Sequence, residues 1–291
     1  MQHGTGSLIG LDNTPLFTQH WLPDEPPRAV VIIAHGLSEH SGRYEHVARY
    51  LVQHGYAVYA LDHRGHGQSG GPRLVAERFE DFVDDLRTYF EQVRAAQPGL
   101  PVFLYGHSMG SLISLLFAFC CQDDLAGLIT SGTALRLMGT SGATIPVVKG
   151  LGRLAPHAPL IPLDPRGISH DPAVVQRYRD DPLVYHGWVP AGMAAELQRA
   201  AEACVRALPS LHLPYLVLHG SADPICLPAG VEIIREQCGA PDTTVKVYQG
   251  LRHEVHNEPE QGQVLRDTVE WLEAHMPGAQ PPPAARKQAQ C

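Results

Sequence analysis

Three residues far apart in the chain are of the types that move acyl groups: Ser108, Asp223 and His253. Ser108 is the centre of Gly106-His107-Ser108-Met109-Gly110, a Gly-x-Ser-x-Gly pattern. Glycines two positions to either side let a strand and a helix pass closely around a sharp turn, and a serine on that turn is held in a strained backbone with its hydroxyl exposed. A serine is unreactive at its own pKa, so it needs a base and a group that orients the base. Asp223, in His219-Gly220-Ser221-Ala222-Asp223-Pro224, and His253, in Tyr248-Gln249-Gly250-Leu251-Arg252-His253, each follow an apolar run that reads as a strand. In that arrangement His253 takes the serine proton and passes it to the leaving alcohol, while Asp223 fixes the imidazole tautomer and stabilises the imidazolium. His256, three residues on, is the competing base. The backbone N–H groups of Leu37, in His35-Gly36-Leu37, and of Met109 are the candidate donors to a tetrahedral oxyanion.

Such groups must be held by a scaffold. Val102–Tyr105 reads as a buried strand running into the serine motif, and Leu112–Cys121 as the apolar helix that follows it. Ala29–Ala34, an amphipathic helix over Arg43–His54 and Tyr56–Leu61 form a βαβ unit, preceded by a hairpin of Leu8–Gly10 and Leu16–Trp21. Further strands are expected at Leu125–Thr130, Tyr215–His219 and Thr244–Tyr248, and further helices at Phe79–Ala96, Met193–Leu208, Ala229–Cys238 and Glu260–His275. This alternation predicts an α/β fold with a mostly parallel central sheet flanked by helices, whose loops carry Ser108, Asp223 and His253 on one edge. The chain order Ser, Asp, His is that of the α/β-hydrolases. Residues 133–192 break the alternation with repeated Gly and Pro and no strand character. They predict a cap inserted after the sixth strand, between core segments 1–132 and 193–277. The apolar residues of this cap either pack on the core or, with Lys149 and Arg153 nearby, rest on lipid. Residues 278–291 read as a disordered tail.

Other chemistries fail on spacing or composition. Gly65-x-Gly67-x-x-Gly70 matches a dinucleotide fingerprint in form, but Gly71-Pro72 continues the loop where a helix should open. His253-Glu254-Val255-His256 lacks the four-residue histidine spacing of a zinc helix, so neither metal nor cofactor is expected. Lys+Arg 22 against Asp+Glu 30 gives a net charge of −8 without a basic cluster, which excludes a nucleic-acid partner on electrostatic grounds. The six cysteines show no framework spacing, so buried reduced thiols and a cytoplasmic location are expected. Met1–Gly6 lacks the basic start and apolar core of a secretory signal, and no apolar run approaches the ~18 residues of a transmembrane segment.

Taken together, His35-Gly36-Leu37-Ser38-Glu39-His40-Ser41-Gly42-Arg43-Tyr44, Asp62-His63-Arg64-Gly65-His66-Gly67-Gln68-Ser69, Gly106-His107-Ser108-Met109-Gly110 and His219-Gly220-Ser221-Ala222-Asp223 resemble the monoacylglycerol lipase family of serine α/β-hydrolases. The resemblance covers nearly all of residues 7–276. It implies a capped hydrolase that cleaves monoacylglycerols, single-chain lipid esters, to fatty acid and glycerol without a cofactor, with an acyl tunnel under the cap and a small polar pocket for glycerol; transient membrane or micelle contact through the cap is expected from the cap's own apolar residues. The resemblance also implies glycerol-end contacts from Glu39, Arg43, Tyr178 and His256, and a pocket-near thiol at Cys226. The residue types alone equally suit surface positions for those four and a small buried filler for Cys226. Two positions depart from the family pattern: Ser38 stands where Gly is frequent, and Ser111 where another Gly is common. A lysophospholipase or short-chain carboxylesterase uses the same fold, and a non-catalytic ligand receptor is the alternative from another class.

Overall fold

Alternate residues of the buried strands face opposite sides of one sheet, and that alternation builds two cores. The computed structural model describes residues 1–139 and 142–277. Eight strands, β1 (Gln2–Ile9), β2 (Pro15–Leu22), β3 (Ala29–Ala34), β4 (Tyr56–Leu61), β5 (Val102–His107), β6 (Gly127–Ser131), β9 (Tyr215–Gly220) and β10 (Thr243–Tyr248), lie in the order β1-β2-β4-β3-β5-β6-β9-β10. β1, β2 and β4 pair antiparallel, and every pairing from β4 onward is parallel. Val30, Ile32, Leu104 and Val217 enter one core with helices α2 (Glu80–Ala96), α3 (Met109–Cys121), α6 (Ala191–Ala207) and α7 (Ala229–Gln237). Their sequence neighbours Val31, Ile33, Phe103 and Leu218 enter the other, with α1 (Glu45–Gln53) and α8 (Gln261–Ala274). Both faces are covered, which is why these strands read as unbroken apolar runs.

Two sequence expectations change. The first strand is Gln2–Ile9 rather than Leu8–Gly10; it is an edge strand of exposed polar and glycine residues paired only with β2, so it has no apolar period to read. Residues 133–192 do contain strands: β7 (Pro159–Ile161) and β8 (Val189–Pro190) pair antiparallel, beside helices α4 (Thr144–Leu154) and α5 (Pro172–Asp180). This stretch leaves the sheet after β6 and returns through α6, so that β6 and β9 are direct neighbours. The expected tail at 278–291 lies outside the described residues. Among the described cysteines Cys204 and Cys226 are buried, whereas Cys120 is exposed and Cys121 and Cys238 are partly so, which corrects the expectation of uniform burial. Among the described residues no helix is long and apolar enough to cross a membrane.

Candidate active site

β5 ends at His107, and α3 begins at Met109, so the whole reversal of the chain falls on Ser108. It has φ 52 and ψ −119, a conformation a side chain rarely adopts, and its N–H is held by the Ser131 carbonyl at 3.0 Å. The turn is possible because α3 lies almost on β3: a Cβ on Gly110 would stand 2.0 Å from the Ala34 carbonyl oxygen. Ser108 is also the N-cap residue of α3, yet its side chain makes no cap, so its hydroxyl is not tied down by the helix it precedes.

Asp223 and His253 sit in the loops after β9 and β10, which run parallel to β5 and open at the same end of the sheet. His253 Nδ1 meets Asp223 Oδ2 at 2.8 Å, and the other carboxylate oxygen accepts the N–H groups of Ile225 (2.8 Å) and Cys226 (3.0 Å). An ionised Asp223 makes Nδ1 the donor, which leaves Nε2 as the basic nitrogen. Burial opposes charge on His253, but the charge and hydrogen bond of Asp223, with Glu254 and Glu39 further off, outweigh it and raise the pKa above the ordinary value. Burial would raise Asp223, but the charge and hydrogen bond of His253, then His219, hold it below the usual carboxylate range. Gly132, the first residue after β6, passes against the imidazole: a Cβ there would lie 2.9 Å from its Cε1 and Nδ1.

The loop after β3 lies over Ser108, since a Cβ on Gly36 would be 3.1 Å from Ser108 Cβ. Neither the Leu37 nor the Met109 N–H has an acceptor among the described residues. Both residues line the same cavity as Ser108 and His253. Two unpaired donors beside a hydroxyl, at the positive end of a helix, can receive an oxyanion. His35 braces the loop: its Nε2 accepts the His63 N–H at 2.9 Å, so Nδ1 donates to the Gly36 carbonyl at 2.8 Å. Burial lowers the His35 pKa to about 4 and keeps that ring neutral.

The cavity measures about 1000 Å³. Leu37, Leu137, Met138, Ile161, Leu163, Ile168, Val189, Leu197 and Ile225 make most of it apolar, and Glu39, Glu254 and Tyr178 close one part with polar groups. Among the described residues no group of three or more metal-binding side chains gathers.

The sequence profile of the family described as serine aminopeptidase, S33, matches residues 25–260. A monoacylglycerol lipase of Mycolicibacterium smegmatis is 40% identical over 271 residues, 93% of this chain and 97% of that protein. This chain belongs to the monoacylglycerol lipase family. A monoglyceride lipase of Homo sapiens is 37% identical over 253 residues, covering 86% of this chain and 84% of its own. The crystal structure of Paleococcus ferrophilus monoacylglycerol lipase superposes with a TM-score of 0.80 at 32% identity, covering 89% of this chain and 99% of that one.

The lipase-family resemblance drew attention to five further residues, and they fare differently. Glu39 and Tyr178 line the cavity. Arg43 does not; its guanidinium forks onto both Glu254 oxygens at 2.7 Å, bonds Glu39 Oε2 at 2.5 Å and lies 4.7 Å from the Tyr178 ring centre. Glu254 takes the bidentate share, so despite burial Arg43 pulls its pKa down to about 2, while burial pushes Glu39 upward against the same cation. His256 is a correction. It is wholly buried outside the cavity lining, stacked on Tyr44 (5.0 Å between ring centres) and edge-on to His107 (4.8 Å), and burial lowers its pKa to about 3. Neither of its ring nitrogens has a hydrogen-bond partner among the described residues, so it makes no bond to Asp223. Cys226 is likewise fully buried and outside the lining; burial and the Asp223 charge push its thiol pKa up, against the Ser108 side chain that hydrogen-bonds it.

The two departures from the family pattern have local explanations. Ser38 has φ 69, in the left-handed region where glycine is favoured, and its carbonyl accepts the Tyr185 N–H at 2.8 Å. Ser111 ties the serine turn to the end of β6, donating to the Ser108 carbonyl at 2.5 Å and accepting the Ala134 N–H at 3.0 Å. Nothing in the sequence marks Glu254 as a partner of Arg43; the i,i+4 spacing of Glu39 and Arg43 is the one local sign of this network.

Proposed function

We propose that this protein hydrolyses the ester bond of monoacylglycerols, with Ser108 as nucleophile, His253 as base and acid, and Asp223 as the orienting carboxylate. The observation that carries this reading is a strained serine on the wall of a largely apolar cavity, which it shares with a histidine bonded to a buried carboxylate. The hydroxyl attacks the ester carbonyl as His253 Nε2 takes its proton, and the Leu37 and Met109 N–H groups receive the oxyanion. Collapse releases glycerol, protonated by His253, and leaves an acyl-Ser108. Water activated by the same imidazole then frees the fatty acid. The apolar part of the cavity suits one acyl chain, and Glu39 and Tyr178 suit the hydroxylated leaving group.

An aminopeptidase reading would need an unneutralised carboxylate beside the serine to hold a substrate ammonium. Each carboxylate lining the cavity is already paired with an arginine, Glu39 and Glu254 with Arg43, and Asp164 with Arg166. Residues 133–192 act as the cap: Leu137, Met138, Ile161 and Leu163 wall the cavity. On the outside of the same stretch Val147, Leu151 and Leu154, spaced i, i+4 and i+7 on α4, are exposed, a face suited to transient contact with a membrane or micelle.

The test is Ser108→Ala, assayed against monoacylglycerol, lysophosphatidylcholine and a nitrophenyl ester, with fluorophosphonate labelling of the wild type. The expected result is a folded variant with hydrolysis down by about 10³-fold or more. Wild-type turnover in the variant would overturn the mechanism, and preference for lysophosphatidylcholine would overturn the substrate.

A further inference from the structure

Glu258 is fully buried and makes no ion pair with Lys or Arg among the described residues. Such burial is costly unless donors satisfy the carboxylate. Here every partner is a donor, and the donors come from two separate pieces of chain. Oε1 accepts the Arg252 N–H at 2.7 Å, from the residue just before His253. Oε2 accepts the Ser169 hydroxyl and the His170 N–H (3.0 Å), with His170 Nδ1 also 3.0 Å away, from a strap at residues 166–170 that lines the cavity. The Glu254 N–H donates to the Ile168 carbonyl at 2.8 Å, and Arg252 Nη1 to the Arg166 and Ser169 carbonyls at 2.6 and 3.2 Å. On its other side the strap touches the Asp223 loop: a Cβ on Gly167 would meet Pro224 and Ile225 at 3.2 Å.

We propose that Glu258 is a positioning residue for His253: it clamps the loop that carries the imidazole to the strap at 166–170, so that one wall of the cavity sets where the base stands. The inference rests on the reading of His253 as the base. The residues on both sides of His253, Arg252 and Glu254, are bonded to the strap, which leaves the imidazole little freedom except through its own side-chain torsions. An amide cannot replace this carboxylate, because glutamine would turn an N–H₂ toward donors on one side or the other.

The experiment compares wild type, Glu258→Gln, Ser169→Ala and the double variant, each checked for folding by thermal melting. Three readouts are taken: kcat and KM on a soluble nitrophenyl ester, the rate of fluorophosphonate labelling, and the low-field proton resonance of the His253–Asp223 hydrogen bond. A misplacement near 1 Å costs about 100-fold in rate, so Glu258→Gln is expected to lower kcat and labelling by roughly that factor, with KM within about threefold and the low-field resonance shifted or lost. Ser169→Ala should lower kcat roughly tenfold, and the double variant should fall within about threefold of Glu258→Gln, because both changes break the same bond. A folded Glu258→Gln with wild-type kcat and labelling, or one that raises KM alone, overturns the clamp. If that variant does not fold, an unchanged kcat in folded Ser169→Ala overturns it equally. A wild type that resists labelling would sink the hydrolase reading and this inference with it, whereas normal wild-type labelling with an indifferent Glu258→Gln sinks the clamp alone.

Discussion

Replacing Gly132 by alanine tests the geometry of the base without touching any reacting group. Gly132 has φ +54, and its backbone is fixed on both sides: its N–H donates to the Leu218 carbonyl at 3.0 Å, and the preceding Ser131 carbonyl accepts the Ser108 N–H at 3.0 Å. The new methyl would stand 2.9 Å from His253 Cε1 and Nδ1 and 3.0 Å from its carbonyl oxygen. Carbon contacts settle near 3.5 Å, so the imidazole must retreat by roughly 0.6 Å. The atom pushed is the one bonded to Asp223. By the sensitivity of catalysis to misplacement, kcat should fall roughly 10- to 100-fold, and KM should hold because Gly132 does not line the cavity. Forcing alanine into left-handed backbone costs about 1–2 kcal/mol, and the overpacking about 1–3 kcal/mol more. Together these should lower Tm by roughly 5–15 °C. The assay is nitrophenyl ester turnover well below that Tm, with fluorophosphonate labelling as a second readout. A folded Gly132→Ala protein with kcat within about twofold of wild type would refute the contact between β6 and the base.

Asp223→Asn should lower kcat by about 10⁴-fold and, because burial then acts on His253 with its main counter-charge gone, move the acid limb of kcat/KM to lower pH; a limb that stays in place refutes the pairing. Acid should unfold the protein early. His35, His66 and His256 stay neutral in the fold with pKa values of about 4, 3 and 3, lowered by burial first, while the unfolded chain takes up these protons from pH ~6.5 downward. Their contribution is therefore intact above that pH and is lost as pH falls, by about 2 kcal/mol each at pH 5, and a Tm that drops less than about 10 °C between pH 7.5 and pH 5 would contradict it. Gly110→Ala should yield little folded protein, since the obstacle 2.0 Å away is the backbone of β3; soluble expression at wild-type stability is the adverse outcome. Val147→Asp combined with Leu151→Glu should slow hydrolysis of vesicle-borne monoacylglycerol while sparing a soluble ester, and equal rates on vesicles would remove α4 as the lipid-facing surface.

The central strands were legible because they are buried on both faces: Ala29–Ala34 and Tyr56–Leu61 have the same bounds in the sequence reading and in the structure. The convergence of Ser108, Asp223 and His253 is legible for a different reason: each lies in a loop after a strand of the parallel part of the sheet, which delivers those loops to one end, although β10, the edge strand before His253, is only partly buried. What escaped has no local signature. β1 is written in Gly4, Thr5, Gly6 and Ser7, whose only partner is another edge-side strand. The grip of Arg43 on Glu254 joins groups 211 residues apart, and spacing carries no trace of that half of the network. His256 follows His253 by three residues, but the 3-10 turn at Val255–Asn257 carries it under Tyr44 and away from the cavity. A distance along the chain cannot tell which way a tight turn aims its side chain.

Reactivity arrives last when this chain is built in order. The first 131 residues already contain the strained serine and the strands that hold it, yet neither the carboxylate nor the imidazole. His253 joins only eight residues before α8, which seals the second core with Trp271 and Leu272. With the proposed triad, a nascent or clipped polypeptide carries a silent hydroxyl, and lipid cleavage is expected to begin only once the C-terminal third has docked. Labelling by a serine-directed probe would thus time the completion of folding itself.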